Sequence, residues 1–404
     1  YLSVEGANSA FDPDQPYTLE IEVNGSGLEQ PAGEVPSVLL PNAADTNVRT
    51  LFVLNTARML QQYPQDETAI NAISTAISQL AAREEVKGEI FDLATLEGAQ
   101  PIAATYAAWD TNANNPFYAN RVTELVKEIL TAAVFRNPSR PIAGVAQQSP
   151  LFPNVEHIVI VGGDAVIPFY RVPDLATVAN ELEYLPYLSG EDPSGIIDLN
   201  TPLGGTLNFG TYLTDNIYGT RTPYALSYHP LYIPDLSVGR LVETPTEILN
   251  YLTPYANGDV PLTIEVPNDS NPAAFSAGYD FLQDQARALR DTFLQIGITP
   301  ATRIRLLDTD NWGVNDLKSA WFNDDFNDFT NATGYANTSP FVLQSPNAHY
   351  DHWQAIPANE ADGTFLAQTI QQAIPSPSVA AQGYRYFHNT ICYTVGCHGG
   401  LNVE

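Results

Sequence analysis

The stretch His157-Ile-Val-Ile-Val161-Gly-Gly-Asp164 decides the fold class. Its apolar part does not alternate with polar residues, which suits a central strand of a parallel sheet covered on both faces. It ends in glycine-rich turn chemistry. On its N-terminal side, Thr50-Leu-Phe-Val-Leu54 reads as another buried strand, and residues 86–93 as a third. Between those two, Asp66 can cap a helix whose Ile70, Ile73, Ile77 and Leu80 share one face. Val122, Leu125, Val126, Ile129 and Ala133 mark a second amphipathic helix. On the C-terminal side, residues 170–230 are rich in Pro, Gly and Tyr and read as a long irregular excursion. Leu236-Ser-Val-Gly-Arg-Leu-Val242 is then a strand, and residues 246–255 a short helix.

The alternation restarts near residue 258. A strand at 273–277 leads through Gly278-Tyr-Asp280 into a helix carrying Phe281, Ala286, Leu289, Phe293 and Ile296, stopped by Gly297. Arg303-Ile-Arg-Leu-Leu307 is the next strand, Val314–Phe322 a helix, and residues 364–374 another. The fold class is therefore α/β, with two open parallel-sheet units and flanking helices, at 31–257 and 258–404. Residues 1–30 differ. Tyr17-Thr-Leu-Glu-Ile-Glu-Val23 alternates strictly, like the last strand of an upstream β-sandwich module.

Composition bounds the partners. The 404 residues carry 46 acidic and 17 basic side chains, a net charge of −29. Such a surface repels nucleic acid and anionic membranes. No apolar stretch approaches a membrane span. The chain has neither an initiator Met nor a leader peptide, and reads as an excised piece of a longer precursor whose other parts are partners. Scarce Lys, 21 Tyr, and sequons at Asn24, Asn268, Asn331 and Asn337 suit an extracellular or cell-surface protein.

Two apolar runs near the C-terminal end each lead to a reactive side chain. Pro340-Phe-Val-Leu-Gln-Ser-Pro-Asn-Ala348 delivers His349, then Asp351-His352-Trp353. Thr390-Ile-Cys-Tyr-Thr-Val395 delivers Cys397 inside Gly396-Cys-His-Gly-Gly400. Sites in open parallel sheets form at the carboxyl ends of strands, so neighbouring strands ending in His and Cys set an imidazole beside a thiol. The glycines admit a substrate backbone, and the Cys397 N–H can face an oxyanion. The bland alternative is a small buried Cys and a solvated His. Cys392 lies five residues from Cys397, roughly 16 Å along a strand and on the opposite face, so no disulfide is expected and Cys392 is read as a buried apolar residue. A zinc reading through His349, Asp351, His352, Cys397 and His398 lacks ligand spacing suited to a strand. Asp308, Asp310 and Asn311, with Asp324, Asp325 and Asp328, offer oxygen ligands for Ca²⁺ but also read as solvated turns. Gly162-Gly-Asp164 lacks the Lys and Ser/Thr of a phosphate loop.

Three further segments carry a family likeness. They are His157–Pro168 with its Gly-Gly-Asp and Ile-Pro, Thr214-Asp-Asn-Ile-Tyr-Gly219, and Pro234-Asp-Leu-Ser-Val-Gly-Arg240 followed by Glu243. In order and spacing, residues 50–404 resemble the gingipain-like cysteine peptidases of the caspase-like clan. The resemblance implies two adjacent caspase-like subdomains with catalysis in the second. It implies Cys397 as nucleophile, with His349 as base and His352 in reserve. The family's His-Gly is absent, and Tyr350 follows His349, so the Tyr350 N–H stands where the glycine N–H helps form the oxyanion hole, beside Gly396. Asp280 occupies the place of the acidic residue that binds substrate arginine in some members, and a helix N-cap is the alternative. The implied function is a secreted or cell-surface cysteine endopeptidase acting on protein or peptide substrates, with an Arg/Lys preference. The chemistry needs no cofactor, and structural Ca²⁺ is a family feature. The alternative is a catalytically inactive structural or adhesive protein that keeps the peptidase fold.

Overall fold

Uninterrupted apolar runs become central strands in the computed structural model, which describes residues 31, 44–96, 100–135, 150–177, 180–188, 198–225, 230–266, 272–322, 341–351, 354–366 and 390–395. The strand expected at 17–23 lies outside these. Two compact units separate, one within residues 1–70 and 81–245, the other within 71–80 and 246–404.

In the first unit, β1 (Thr50–Leu54) is buried at every position. α1 (Thr56–Gln62), which the sequence pattern did not signal, starts where the Asn55 side chain accepts from the Arg58 backbone N–H. α2 (Glu67–Ala81), whose residues 71–80 fall in the second unit, buries Ile70, Ile73, Ile77 and Leu80. β2 (Gly88–Asp92) and α3 (Gln100–Thr111) follow. α4 (Pro116–Val134) is capped by Asn115 and places Pro116 in its first turn, where a missing N–H costs nothing. Its Val122, Leu125, Val126, Ile129 and Ala133 are all buried, the four larger side chains each contributing up to about 2–3 kcal/mol of apolar transfer. β3 (His157–Val161) is the strand read first from the sequence.

The 170–230 excursion proves to hold short elements, because its Pro and Gly residues start and stop them rather than prevent them. β4 (Tyr170–Pro173), α5 (Glu181–Leu188), α6 (Pro202–Asn208), β5 (Thr211–Thr214), α7 (Asn216–Gly219), β6 (Tyr224–Ala225) and β7 (Pro230–Leu231) lie there. β4 and β5 pair antiparallel. β8 (Ser237–Leu241) then completes a parallel sheet of order β2-β1-β3-β8.

The segments that carried the family likeness meet in one buried network of this unit. Arg240 donates from Nε to Asp215 at 2.8 Å and from Nη1 to the carbonyls of Gly162 and Ile167 at 2.8 and 2.7 Å. Its guanidinium lies 3.9 Å from the Phe169 ring centroid. Asp164 receives Arg171 Nη1 at 2.8 Å and the Phe169 N–H at 2.8 Å. Gly162 has φ +118, and a Cβ there would strike Val166. The Gly-Gly-Asp turn is thus a structural joint whose carboxylate is already engaged by Arg171.

After α8 (Pro245–Ala256) the second unit repeats the plan. β9 (Ala274–Ala277), α9 (Gln283–Gln295), β10 (Ile304–Leu307), α10 (Val314–Phe322), β11 (Leu343–Pro346), β12 (His349–Asp351), β13 (Gln354–Ile356), β14 (Phe365–Leu366) and β15 (Ile391–Cys392) follow in turn. The parallel sheet runs β10-β9-β11-β15. As in the first unit, the earliest strand sits inside, the second takes one edge and the fourth the other. β9 is wholly buried. Phe275 and Ala277 join a core with Leu317 and Trp321 of α10, while Ala274 packs with Phe293 of α9.

Three expectations change here. The helix at 364–374 does not begin as one. Phe365 and Leu366 form β14, antiparallel to β13, with Phe365 buried and Leu366 exposed as a strand period requires. Residues 367–374 lie outside the described set. Cys392 stands on β15, the edge strand of the sheet, with surface open to solvent although burial pushes its thiol up to about 11. The His-bearing run breaks at Asn347, and His349 begins a new antiparallel strand, β12.

Candidate functional site

The carboxyl ends of β9 and β11 and the residues after β15 converge in the second unit. Beyond β9, Gly278 allows a close turn, since a Cβ there would sit 2.4 Å from the Leu282 carbonyl oxygen. Tyr279 follows, its hydroxyl donating to the Ile356 carbonyl at 2.8 Å and its ring edge-on to Trp312. Asp280 holds φ +52, an uncommon backbone state for a residue with a side chain. The Asp310 carboxylate holds it there, accepting the Asp280 N–H at 2.9 Å and Gln283 Nε2 at 2.8 Å. Asp280 is not an N-cap. It opens a 3₁₀ turn, Asp280–Leu282, whose cap position is Tyr279.

Beyond β11 stands Asn347, fully buried, with the carbonyl of Ala277 accepting its Nδ2 at 2.9 Å. Its Oδ1 accepts the Val395 N–H at 2.9 Å, so one carboxamide joins the exits of β9, β11 and β15. Thr394 Oγ1 donates to the Pro346 carbonyl at 2.7 Å, and the Tyr350 hydroxyl donates to the same oxygen. Burial pushes the Tyr350 phenol up to about 12, against a smaller lowering by Thr394.

His349 emerges two residues past Asn347. Its ring lies edge-on between Tyr279 and Phe281, each centroid 5.2 Å away. Its Nε2 is 3.9 Å from Asp280 Oδ2, with side-chain exposures of 37% and 68%. That separation is too long for a hydrogen bond, and both side chains face solvent. Phe281 is 66% exposed and forms an apolar ledge beside the imidazole. The arrangement offers a solvent-accessible imidazole, an exposed carboxylate beside it and an aromatic wall.

Asp280 and His349 thus stand in one patch, while the next residue, Tyr350, turns its phenol to the Pro346 carbonyl. His352, Gly396 and Cys397 lie outside the described residues, as do Asp324, Asp325 and Asp328. The Asp308 carboxylate is engaged by Arg287 Nε at 2.7 Å, and Asn311 Oδ1 accepts from Thr309. Among the described residues, no group of three or more His, Cys, Asp or Glu side chains is placed to hold a metal ion. No helix among them is long and apolar enough to cross a membrane. Asn347, Tyr279 and Phe281 were not singled out as site residues from sequence, and Asp310, read there as a possible Ca²⁺ ligand, instead accepts from Asp280 and Gln283. The available signals were an Asn directly after a strand-ending Pro, and aromatics flanking Asp280. Comparison of the chain with protein-family models, with curated proteins and with solved structures finds no match.

Proposed function

We propose that this chain is a cysteine endopeptidase of the gingipain-like kind, with Cys397 as nucleophile and His349 as base. The observation that carries the reading is the bond from the Val395 N–H to Asn347 Oδ1, 2.9 Å long. It ties together the two strand exits from which the sequence leads, two residues on, to Cys397 and to His349. The half-open imidazole beyond it has the access a general base needs. Two parallel sheets of the same strand order support assigning both units to the caspase-like type.

In the reaction, His349 takes the thiol proton and the Cys397 sulfur attacks the scissile carbonyl carbon. The tetrahedral intermediate collapses as the imidazolium returns the proton to the leaving amine. Water, deprotonated by His349, then hydrolyses the thioester. Asp280, exposed beside this centre, favours a substrate Arg or Lys, since a guanidinium can pair with an exposed carboxylate. The natural setting we propose is extracellular or cell-surface, with Ca²⁺ as a structural ion only.

The test is turnover of a peptidyl-arginine ester, together with labelling by a peptidyl acyloxymethyl ketone located by peptide mass spectrometry. Cys397→Ala is expected to abolish both. Label on Cys392 in place of Cys397, or undiminished turnover, rejects the role. A second reading, a peptidase fold kept without chemistry, draws on Tyr350, whose tied-down phenol stands where the resemblance implies a glycine. Complete inertness of the wild-type thiol toward the probe would favour it.

A further inference from the structure

We propose that Asn347 is a positioning residue, whose carboxamide sets the separation of the two strand exits that carry base and nucleophile. This rests on the endopeptidase reading. The position makes opposite demands on one side chain. The Ala277 carbonyl ends the central strand and needs a donor, supplied by Asn347 Nδ2 at 2.9 Å and by the Asn347 backbone N–H at 3.3 Å. The Val395 N–H needs an acceptor, supplied by Oδ1 at 2.9 Å. Ser345 Oγ lies 3.0 Å from Nδ2 and 3.2 Å from Oδ1 and completes the set.

Among side chains of this length, only a carboxamide offers both a donor and an acceptor in fixed opposition. Aspartate would keep the acceptor but turn a charge toward the Ala277 and Ser345 carbonyls. Leucine would keep the volume and satisfy neither group. Because Asn347 and Ala277 are both fully buried, the bond lost at the Ala277 carbonyl is not replaced by water. The lever arm is short. Two peptide units separate Asn347 from His349, and two separate Val395 from Cys397. The ladder stops short of the exits: the β11–β15 pairing covers Leu343↔Ile391 and Gln344↔Cys392, and its last backbone bond runs from the Tyr393 N–H to the Gln344 carbonyl. Past that point, Thr394 on the Pro346 carbonyl and Val395 on Asn347 are the bonds seen between the two exits.

The experiment compares wild type, Asn347→Leu and Asn347→Asp in the full chain, with Cys397→Ala as the dead control. Peptidyl-arginine 4-nitroanilide hydrolysis gives kcat and KM, thermal unfolding fixes the folded fraction, and hydrogen exchange reports on the Val395 amide. Misplacing reacting groups by about 1 Å costs on the order of 100-fold in rate. The expected result is therefore a kcat lower by about that factor in both variants. KM should stay within about threefold, at temperatures where each variant is folded. Val395 exchange should accelerate in the Leu variant, which has lost the acceptor, and much less in the Asp variant, which keeps it. A role confined to stability would instead restore full kcat on cooling below the melting range, and that result overturns the proposal. Hydrolysis that Cys397→Ala abolishes but both Asn347 variants retain overturns the positioning role and leaves the endopeptidase reading standing. Hydrolysis that survives Cys397→Ala removes the reading, and the positioning role with it.

Discussion

At Lys127 charge and burial oppose each other. The residue sits on α4 between Val126 and Glu128, and its Nζ is sealed from solvent without a hydrogen-bond partner. The nitrogen lies 5.2 Å from the Phe135 ring centroid, and Arg221 lies 5.1 Å from the same centroid. A cation over an aromatic face recovers about 1–2 kcal/mol, less than the cost of sealing the charge. Burial accordingly depresses the amine to about 8, against a smaller upward pull from Asp235. In the unfolded chain it titrates near 10.4. Between about pH 8 and 10.4 the unfolded state holds a proton that the folded state has released, so stability climbs with pH through that window. Below it, the folded protein carries the whole penalty. Lys127→Met keeps the aliphatic volume and removes the charge. It is expected to stabilise the protein by roughly 1–3 kcal/mol at pH 7, and by nothing measurable above about pH 11. Urea unfolding of both proteins across pH 7–11 checks this. A difference that does not shrink with rising pH would place the effect in packing rather than in charge.

The turn from β9 into α9 shows how one element end can set a site. Adding a Cβ at Gly278 would meet the Leu282 carbonyl carbon at 2.9 Å as well as its oxygen at 2.4 Å, with Ala286 Cβ at 3.0 Å. Backbone cannot give way as a side-chain tip can, so Gly278→Ala should push the 3₁₀ turn and Asp280 outward. Overpacking of this kind costs about 1–3 kcal/mol. Gly297 is the control, because it has φ +103 but nothing within 4 Å of the place an added methyl would take. Gly297→Ala should lose about 1 kcal/mol of stability through backbone strain alone and leave turnover intact. Paired thermal melts and esterase assays separate the two, and equal activity in both variants would dismiss the turn as a determinant of the site. These elements also show what was legible beforehand. β1, β3 and β9 announced themselves as largely apolar runs, which strands covered on both faces favour, the buried Ser276 of β9 being satisfied by the Ala286 carbonyl. Asp280 was named from the family resemblance, whereas His349 could be named because strand ends in parallel sheets collect chemistry. Asn347 could not, since its meaning lies in a bond to Val395, 48 residues away, which only the β11–β15 pairing creates. Phe365 misled because a short apolar run fits helix and strand alike, and its burial beside Trp321 decided for the strand.

For the molecule as a whole the governing quantity is the charge of −29, which far exceeds what solubility requires of a domain-sized chain. Around the candidate site the field has local sources in Asp280 and Asp310, partly offset nearby by Arg287 on Asp308. A potential of this sign concentrates cationic peptides at the surface and repels anionic ones before any contact forms. Salt screens it, the Debye length falling from about 30 Å at 0.01 M to about 10 Å at 0.1 M. Two otherwise identical peptides, one with Arg and one with citrulline before the scissile bond, isolate the effect, because citrulline keeps the shape and removes the charge. If steering and the Asp280 contact both act, kcat/KM for the Arg peptide should fall several-fold between about 0.02 and 0.3 M NaCl while the citrulline peptide changes less than about twofold. Asp280→Asn should lower the Arg peptide at every salt concentration and leave a residual slope that belongs to the distributed charge. Parallel slopes for the two peptides would mean that salt acts on the protein itself and that its acidity has no part in choosing substrates.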